Sequence, residues 1–244
     1  MDKLGPYLLG PNNMPENGIY TGNAEILSLD IPDNSLSLIL ADPVYQNIAD
    51  YRWTTEMAVN KLIDKGNLVL QTSQQYLPEI FWATRNTELN FVWLIAERFR
   101  GGNPIHGGVR IINTWKPYLW WTREKMPRRG QYVFDQMAGG GRSKRIHKWE
   151  DSVRFFLYII EQLTDIGDII FDPFTGSGTV PAACKMLGRS YLAFEIDPTT
   201  ADLARERVAN TQLPLPGLQV EQSTFYSDAL YILRDGIYDE APEM

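Results

Sequence analysis

The chain has 244 residues, 44% hydrophobic and 22% charged, which is enough for one sizeable core and too apolar for a wholly disordered protein. One cysteine excludes an internal disulfide, and two histidines leave little for a metal site, so none is expected. The net charge of −7 is unevenly spread: Arg98 to Lys148 carries twelve basic and two acidic side chains, net +10, leaving −17 on the rest.

No apolar run approaches the ~18 residues of a membrane span, and the N-terminus lacks an apolar signal core. A cytoplasmic setting without a membrane partner is the expectation.

In chain order, the first dozen or so residues read as irregular, punctuated by Gly and Pro. Ile19–Ala24 reads as a short strand entering a turn, and Leu36–Leu40 as a buried strand with an abrupt Pro-bearing stop. Met57, Ala58, Leu62 and Ile63 share a helical face, which predicts a helix over Thr54–Lys65 ended by Gly66. A strand at Asn67–Gln71, a helix at Tyr76–Thr84 and a strand at Asn90–Ile95 follow. Val109–Asn113 and Pro117–Thr122 predict further strands, and Trp115, Trp120 and Trp121 read first as sheet packing.

Residues 123–148 are basic and interrupted by Gly139-Gly140-Gly141. Then come a helix at Ser152–Leu163, a strand at Asp168–Phe171, a helix at Val180–Leu187, a strand at Tyr191–Glu195 and a helix at Thr200–Ala209. An acidic tail follows from about residue 211. Strands alternating with helices predict a doubly wound, mostly parallel α/β sheet in one domain, with 123–148 as an insert.

Two turns carry the chemistry. In FDPFTGSGTV (171–180), Asp172 ends a strand, and Gly176 and Gly178 leave backbone N–H groups open to a ligand before a helix begins. Glu195 ends the next strand, where a carboxylate can accept both hydroxyls of a ribose. The turn holds an acid and no Lys, which suits a cationic ligand better than a phosphate. The second turn, Ala41-Asp42-Pro43-Val44-Tyr45, puts a carboxylate, a free carbonyl and an aromatic ring at a strand's C-terminal edge.

Together, Asp42-Pro43-Val44-Tyr45, the HKWEDS run at 147–152 and DPFTGSGT at 172–179 resemble the amino-group (N6-adenine/N4-cytosine) DNA methyltransferases. The order, catalytic turn first and cofactor turn last, is similar to their circularly permuted beta group, over about residues 18–210. The resemblance implies a Rossmann-like methyltransferase sheet, S-adenosyl-L-methionine as cofactor and double-stranded DNA as partner. It assigns catalysis to Asp42, Pro43 and Tyr45. The cofactor falls to Asn23, Ser152, Asp172, Phe174, Gly176, Gly178, Thr179, Glu195 and Asp197.

Asp42 and the Pro43 carbonyl would take the two hydrogens of a base amino group, and Tyr45 would stack on a base drawn out of the duplex. Arg128, Arg129, Arg142, Lys144 and Arg145 are the expected phosphate contacts, in a segment that would read a short site. An aspartate heading the turn favours adenine, with N4-cytosine methylation as the alternative. Because Val44 replaces the family's second proline, a DNA-binding protein with impaired catalysis is a further alternative. Methylation of a protein glutamine ranks below these, since its relatives place the cofactor turn first. A homodimer is compatible with the reading, and a restriction partner is left open. The host would be a bacterial or phage-infected cell. His147 is not needed as a base, and Cys184, inside an apolar helical face, reads as core.

Overall fold

The computed structural model describes residues 3–4, 7–8, 17–104, 110–124, 133–138 and 150–211. Two short strands, β1 (Lys3–Leu4) and β2 (Tyr7–Leu8), pair with each other. The chain continues through β3 (Gly18–Thr21), α1 (Ala24–Leu27), β4 (Leu36–Ala41), α2 (Ile48–Lys61), β5 (Leu62–Gln71), α3 (Leu77–Thr84) and β6 (Asn90–Pro104). It ends with β7 (Ile112–Thr122), β8 (Gln136–Ala138), α4 (Glu150–Leu163), β9 (Ile169–Asp172), α5 (Thr179–Leu187), β10 (Ser190–Glu195) and α6 (Pro198–Asn210).

Eight strands form one sheet in the order β3-β10-β9-β4-β5-β7-β6-β8. The pairs from β3 to β5 are all parallel, while β7 runs antiparallel to both β5 and β6. β4 is buried along its whole length because both faces of the sheet are covered. On one face α1, α2 and α3 send Leu27, Tyr51, Ala58 and Ile80 onto Ile39, Leu68, Leu70 and Phe171. On the other, Ala182 of α5 and Ala204 and Val208 of α6 pack on Ile19 and Ala193. Cys184 is fully buried, and Trp120 and Trp121 pack in the sheet as expected.

The fold class agrees with the sequence, and several boundaries move. The second helix runs Ile48–Lys61, not Thr54–Lys65, because Tyr51 and Thr54 already lie on its buried face. The Thr54 hydroxyl donates to Asp50 O at 2.6 Å, which lets a β-branched polar residue sit there. Gly66 ends no helix. It sits in β5 next to Lys65 at φ 65°, where the ladder to β4 jumps from Leu36–Leu62 to Leu38–Asn67. A side chain on Gly66 would meet Ile63 O at 2.9 Å, so that bulge needs glycine.

β6 continues past Ile95 to Pro104 because its antiparallel ladder with β7 extends to the Pro104–Ile112 pair. The two strands expected at 109–122 are one, starting at Ile112. Pro117 does not break it, since its carbonyl accepts from Thr72 N at 3.0 Å. Most of the basic insert and the acidic tail lie outside the described residues, although three residues of the insert form β8. No helix among the described residues is long and apolar enough to cross a membrane.

Candidate functional site

The chain leaves β9 toward β10 on one side and leaves β4 toward β5 on the other, so the sheet changes winding direction between β9 and β4. Such a switch point opens a crevice at the C-terminal ends of the strands. The glycine turn follows β9 and the Asp42 turn follows β4, and these strands are hydrogen-bonded neighbours through Leu38–Ile170 and Ile39–Phe171. Turns about 130 residues apart in sequence therefore share one rim.

On the glycine side, Asp172 is buried, and its Oδ1 accepts from Phe174 N at 3.1 Å. Burial pushes its carboxyl up to about 7, with a further push from the negative charges of Asp42 and Glu195 and partial relief from hydrogen bonds. Glu195 ends β10, where Oε2 accepts from Gly176 N at 2.9 Å and Oε1 from Asp197 N at 3.0 Å. Gly22, just after β3, donates to Glu195 O at 2.9 Å and brings Asn23 to the same edge.

The two glycines have different jobs. Gly176 (φ 49°) faces open space, where a ligand can approach, while Gly178 (φ 79°) presses against Ala204 of α6. Phe174 packs edge-on against Trp53, and together they form an aromatic wall.

Three sequence-assigned residues carry structural duties as well. Asn23 caps α1, accepting from Glu25 N at 2.8 Å. Asp197 caps α6, accepting from Thr200 Oγ1 at 2.7 Å and from Thr200 N at 2.8 Å, and these bonds hold its carboxyl below the usual range. Thr179 Oγ1 accepts from Arg207 at 2.8 Å. Ser152 lies on α4, but its side chain is outside the described residues, as are Arg128, Arg129, Arg142, Lys144 and Arg145.

On the other side of the crevice, Asp42, Pro43 and Tyr45 follow β4. Protein walls crowd the Asp42 carboxylate although the residue reaches solvent at the rim. Desolvation raises its pKa to about 6, against the attraction of Lys116 and the influence of the nearby Tyr45 hydroxyl. Tyr45 is pushed up to about 12, first by desolvation and then by the charge on Asp42. Val44 is 70% exposed, and its carbonyl accepts from Asn47 N at 2.8 Å. A hydrogen bond thus closes the turn where a second proline would have stiffened it.

The sequence reading missed the residues behind this turn. Gln71 Nε2 donates to Tyr45 Oη at 2.5 Å, and Tyr118 Oη lies 2.6 Å from Gln71 Oε1 and 2.8 Å from Glu97 Oε2. Glu97 in the apolar run FVWLIAERF was the available signal, because a lone carboxylate in a buried strand requires partners. The described residues hold no cluster of His, Cys, Asp and Glu able to hold a metal.

Comparison with known proteins gives the same reading. Residues 70–206, more than half of the chain, match the family model described as DNA methylase. The BamHI Type II methyltransferase of Bacillus amyloliquefaciens is 25% identical over 251 residues, covering 79% of this chain and 57% of that enzyme. The chain therefore spans little more than half the length of that relative. Among solved structures, the M1.HpyAVI–SAM complex is similar at a TM-score of 0.64 and 22% identity, covering 78% of this chain and 98% of that one. PvuII DNA methyltransferase, described as cytosine-N4-specific, is similar in fold at a TM-score of 0.65 and 14% identity, covering 89% and 94%. With the family model spanning both the glycine turn and Glu195, the chain belongs to the DNA methylase family, the amino-group (N6/N4) DNA methyltransferases.

Proposed function

We propose that this chain transfers a methyl group from S-adenosyl-L-methionine to the exocyclic N6 of adenine in double-stranded DNA. The observation that carries this reading is the adjacency of the two turns on β9 and β4. The donor set fits the cofactor. Asp172 and Glu195 supply carboxylates, no Lys or Arg lies within the turn, and the open side of Gly176 gives a ligand room against the backbone. Glu195 would accept the ribose hydroxyls, the Phe174–Trp53 wall would flank the adenine ring, and Asp172 would face the cationic methionyl end.

When bound, the cofactor supplies an electrophilic methyl group on sulfonium. The protein must then make a poor nucleophile attack. The ionised Asp42 carboxylate and the Pro43 carbonyl would each accept one hydrogen of the base amino group, turning its lone pair toward the methyl carbon. Tyr45, tethered by Gln71, offers its ring to the extruded base. Asp42 works only when ionised, and Lys116 favours that state.

The single-domain reading, with residues 123–148 as target-recognition insert, belongs to the same proposal. So do the phosphate roles of Arg128, Arg129, Arg142, Lys144 and Arg145. The carboxylate at the head of the turn favours adenine over cytosine. Nucleoside mass spectrometry of methylated duplex DNA tests the choice: N6-methyladenine supports it, and N4-methylcytosine replaces it with the alternative.

A further inference from the structure

The β6–β7 ladder does not stop at the rim. Ala41 pairs with Leu70, so Asp42 stands level with Gln71, which pairs with Tyr118, which in turn pairs with Ile95. β5 ends at that level, while β6 runs on to Pro104 and β7 begins as far back as Ile112. The stretch of β7 from Ile112 to Tyr118 therefore rises past Asp42 by about 20 Å at the usual strand rise. β8, from the basic segment 123–148, pairs with the raised part of β6 at Ala96, Glu97 and Arg98. Above Arg98 no other described strand pairs with either one, so the two form a free ribbon.

The ribbon is rooted beside the catalytic turn and braced from one side. Gln71 Nε2 donates to Tyr45 Oη at 2.5 Å and Tyr118 Oη donates to Gln71 Oε1 at 2.6 Å, which puts the turn that carries Asp42 at the ribbon's foot. Gln74, just past β5, donates from Nε2 to Trp115 O at 2.7 Å and to Asn113 Oδ1 at 2.9 Å, and Asn113 Nδ2 returns a bond to Gln74 Oε1 at 3.3 Å. These bonds commit Asn113 to the body of the protein. Alternation along the strand turns Ile112 and Thr114 to the opposite face, and both are exposed.

What the ribbon presents suits a nucleic-acid groove. Arg98 to Thr122 holds four cations, Arg98, Arg100, Arg110 and Lys116, and no acid, in a chain of net charge −7. Arg98 and Arg110 are exposed. Next to Arg110, Ile111 is 52% and Ile112 68% exposed, two adjacent large apolar side chains that the core does not use. A duplex matches both features, with phosphates for the cations and methyl-bearing base edges for the isoleucines, whereas an acidic protein surface would match the cations alone. The major groove, about 12 Å wide and about 8.5 Å deep, admits a two-stranded ribbon, and an arm of about 20 Å is long enough to reach its floor.

We propose that the β6–β7 ribbon is a DNA-contacting element distinct from residues 123–148, entering the groove beside the extruded base with Arg98 and Arg110 on phosphates and Ile111 and Ile112 against base edges. The proposal rests on the methyltransferase reading above, since it takes the extruded base to lie at Asp42. Held upright by Gln74, the ribbon fixes where the duplex sits relative to the catalytic turn.

The test is fluorescence anisotropy of a fluorescein-labelled duplex of about 30 base pairs and mixed sequence, titrated with the full chain between about 50 and 200 mM salt, beside sedimentation velocity of the protein alone. Arg98→Ala with Arg110→Ala should weaken binding and flatten the plot of log affinity against log salt by about 2, and Arg98→Lys with Arg110→Lys should restore the slope. Ile111→Ser with Ile112→Ser should cost about tenfold in affinity and leave the slope unchanged. An unchanged slope in the alanine pair, an unchanged affinity in the serine pair, or a serine pair that loses a wild-type dimer while keeping its DNA affinity overturns the proposal. The titration needs no methyl donor. A wild type that binds the duplex through the ribbon and methylates no DNA refutes the methyltransferase reading alone, and one that methylates while the variants bind equally well refutes the ribbon alone.

Discussion

Asp42 and Asp172 leave the sheet from hydrogen-bonded parallel neighbours, β4 and β9, and burial, with a smaller push from the charge on Asp42, raises the Asp172 carboxyl to about 7. The two acids face different partners in the proposed reaction, a base amino group and a cationic cofactor.

Asp42→Ala removes the proposed acceptor of a base amino hydrogen, and Asp42 follows β4 rather than lying in the glycine turn. Methyl transfer should fall by at least about 10²-fold with cofactor Kd nearly unchanged. In the wild type, kcat should rise as pH climbs through about 6, because only the ionised carboxylate accepts a hydrogen. Stopped-time transfer assays and calorimetric titration with cofactor separate the two effects. A loss of cofactor affinity instead would place Asp42 on the wrong side of the crevice.

Asp172 should report its protonation in both binding and stability. A cation favours its ionised form, so cofactor affinity should rise as pH increases through about 7 and then level off. Without ligand the sign reverses. The folded-state pKa is raised, so the stability from neutral Asp172 is full below the unfolded value of about 4 and is lost as pH rises through about 7. Asp172→Asn should therefore be more stable to unfolding than the wild type at pH 8, by up to about 4 kcal/mol, while binding cofactor more weakly. Calorimetry in two buffers of different ionisation enthalpy counts the released proton.

Glu195→Ala removes the expected ribose acceptor and frees Gly176 N and Asp197 N. Cofactor affinity should drop on the order of 10–100-fold, the worth of charged hydrogen bonds. Far-UV circular dichroism should stay unchanged, since Glu195 sits at the end of β10 rather than in the core.

Gly178→Ala tests packing rather than binding. The new methyl would lie 3.0 Å from the Ala204 side chain and 3.1 Å from its Cα, at φ 79°. A cost of about 2–4 kcal/mol is expected from strain and overpacking, read by chemical denaturation. Gly176→Ala meets nothing closer than 4.0 Å and should cost less stability, with its effect showing in cofactor binding.

Much of this molecule was legible in its sequence because strand–turn–helix units are local. FDPFTGSGTV contains strand, turn and helix start in order, AFEID runs from strand end to the cap of the next helix, and Asp172, Gly176 and Glu195 stand where that order put them. The Asp42 turn was readable for the same reason. What escaped was set by partners distant in sequence. β6 reaches Pro104 only because β7 pairs with it, and Gly66 becomes a bulge only because β4 runs alongside. The line from Tyr45 through Gln71 and Tyr118 to Glu97 joins four strands or their ends, so no spacing within one segment announces it.

The central claim is that the two turns act together on one amino group. The most direct measurement is transfer of labelled methyl from S-adenosyl-L-methionine to duplex DNA by the wild type and by Asp42→Ala, followed by nucleoside mass spectrometry. The account predicts N6-methyladenine from the wild type and none from the variant, with both proteins binding the cofactor. Equal transfer by both proteins, or label on a ring carbon instead of an amino nitrogen, would contradict it.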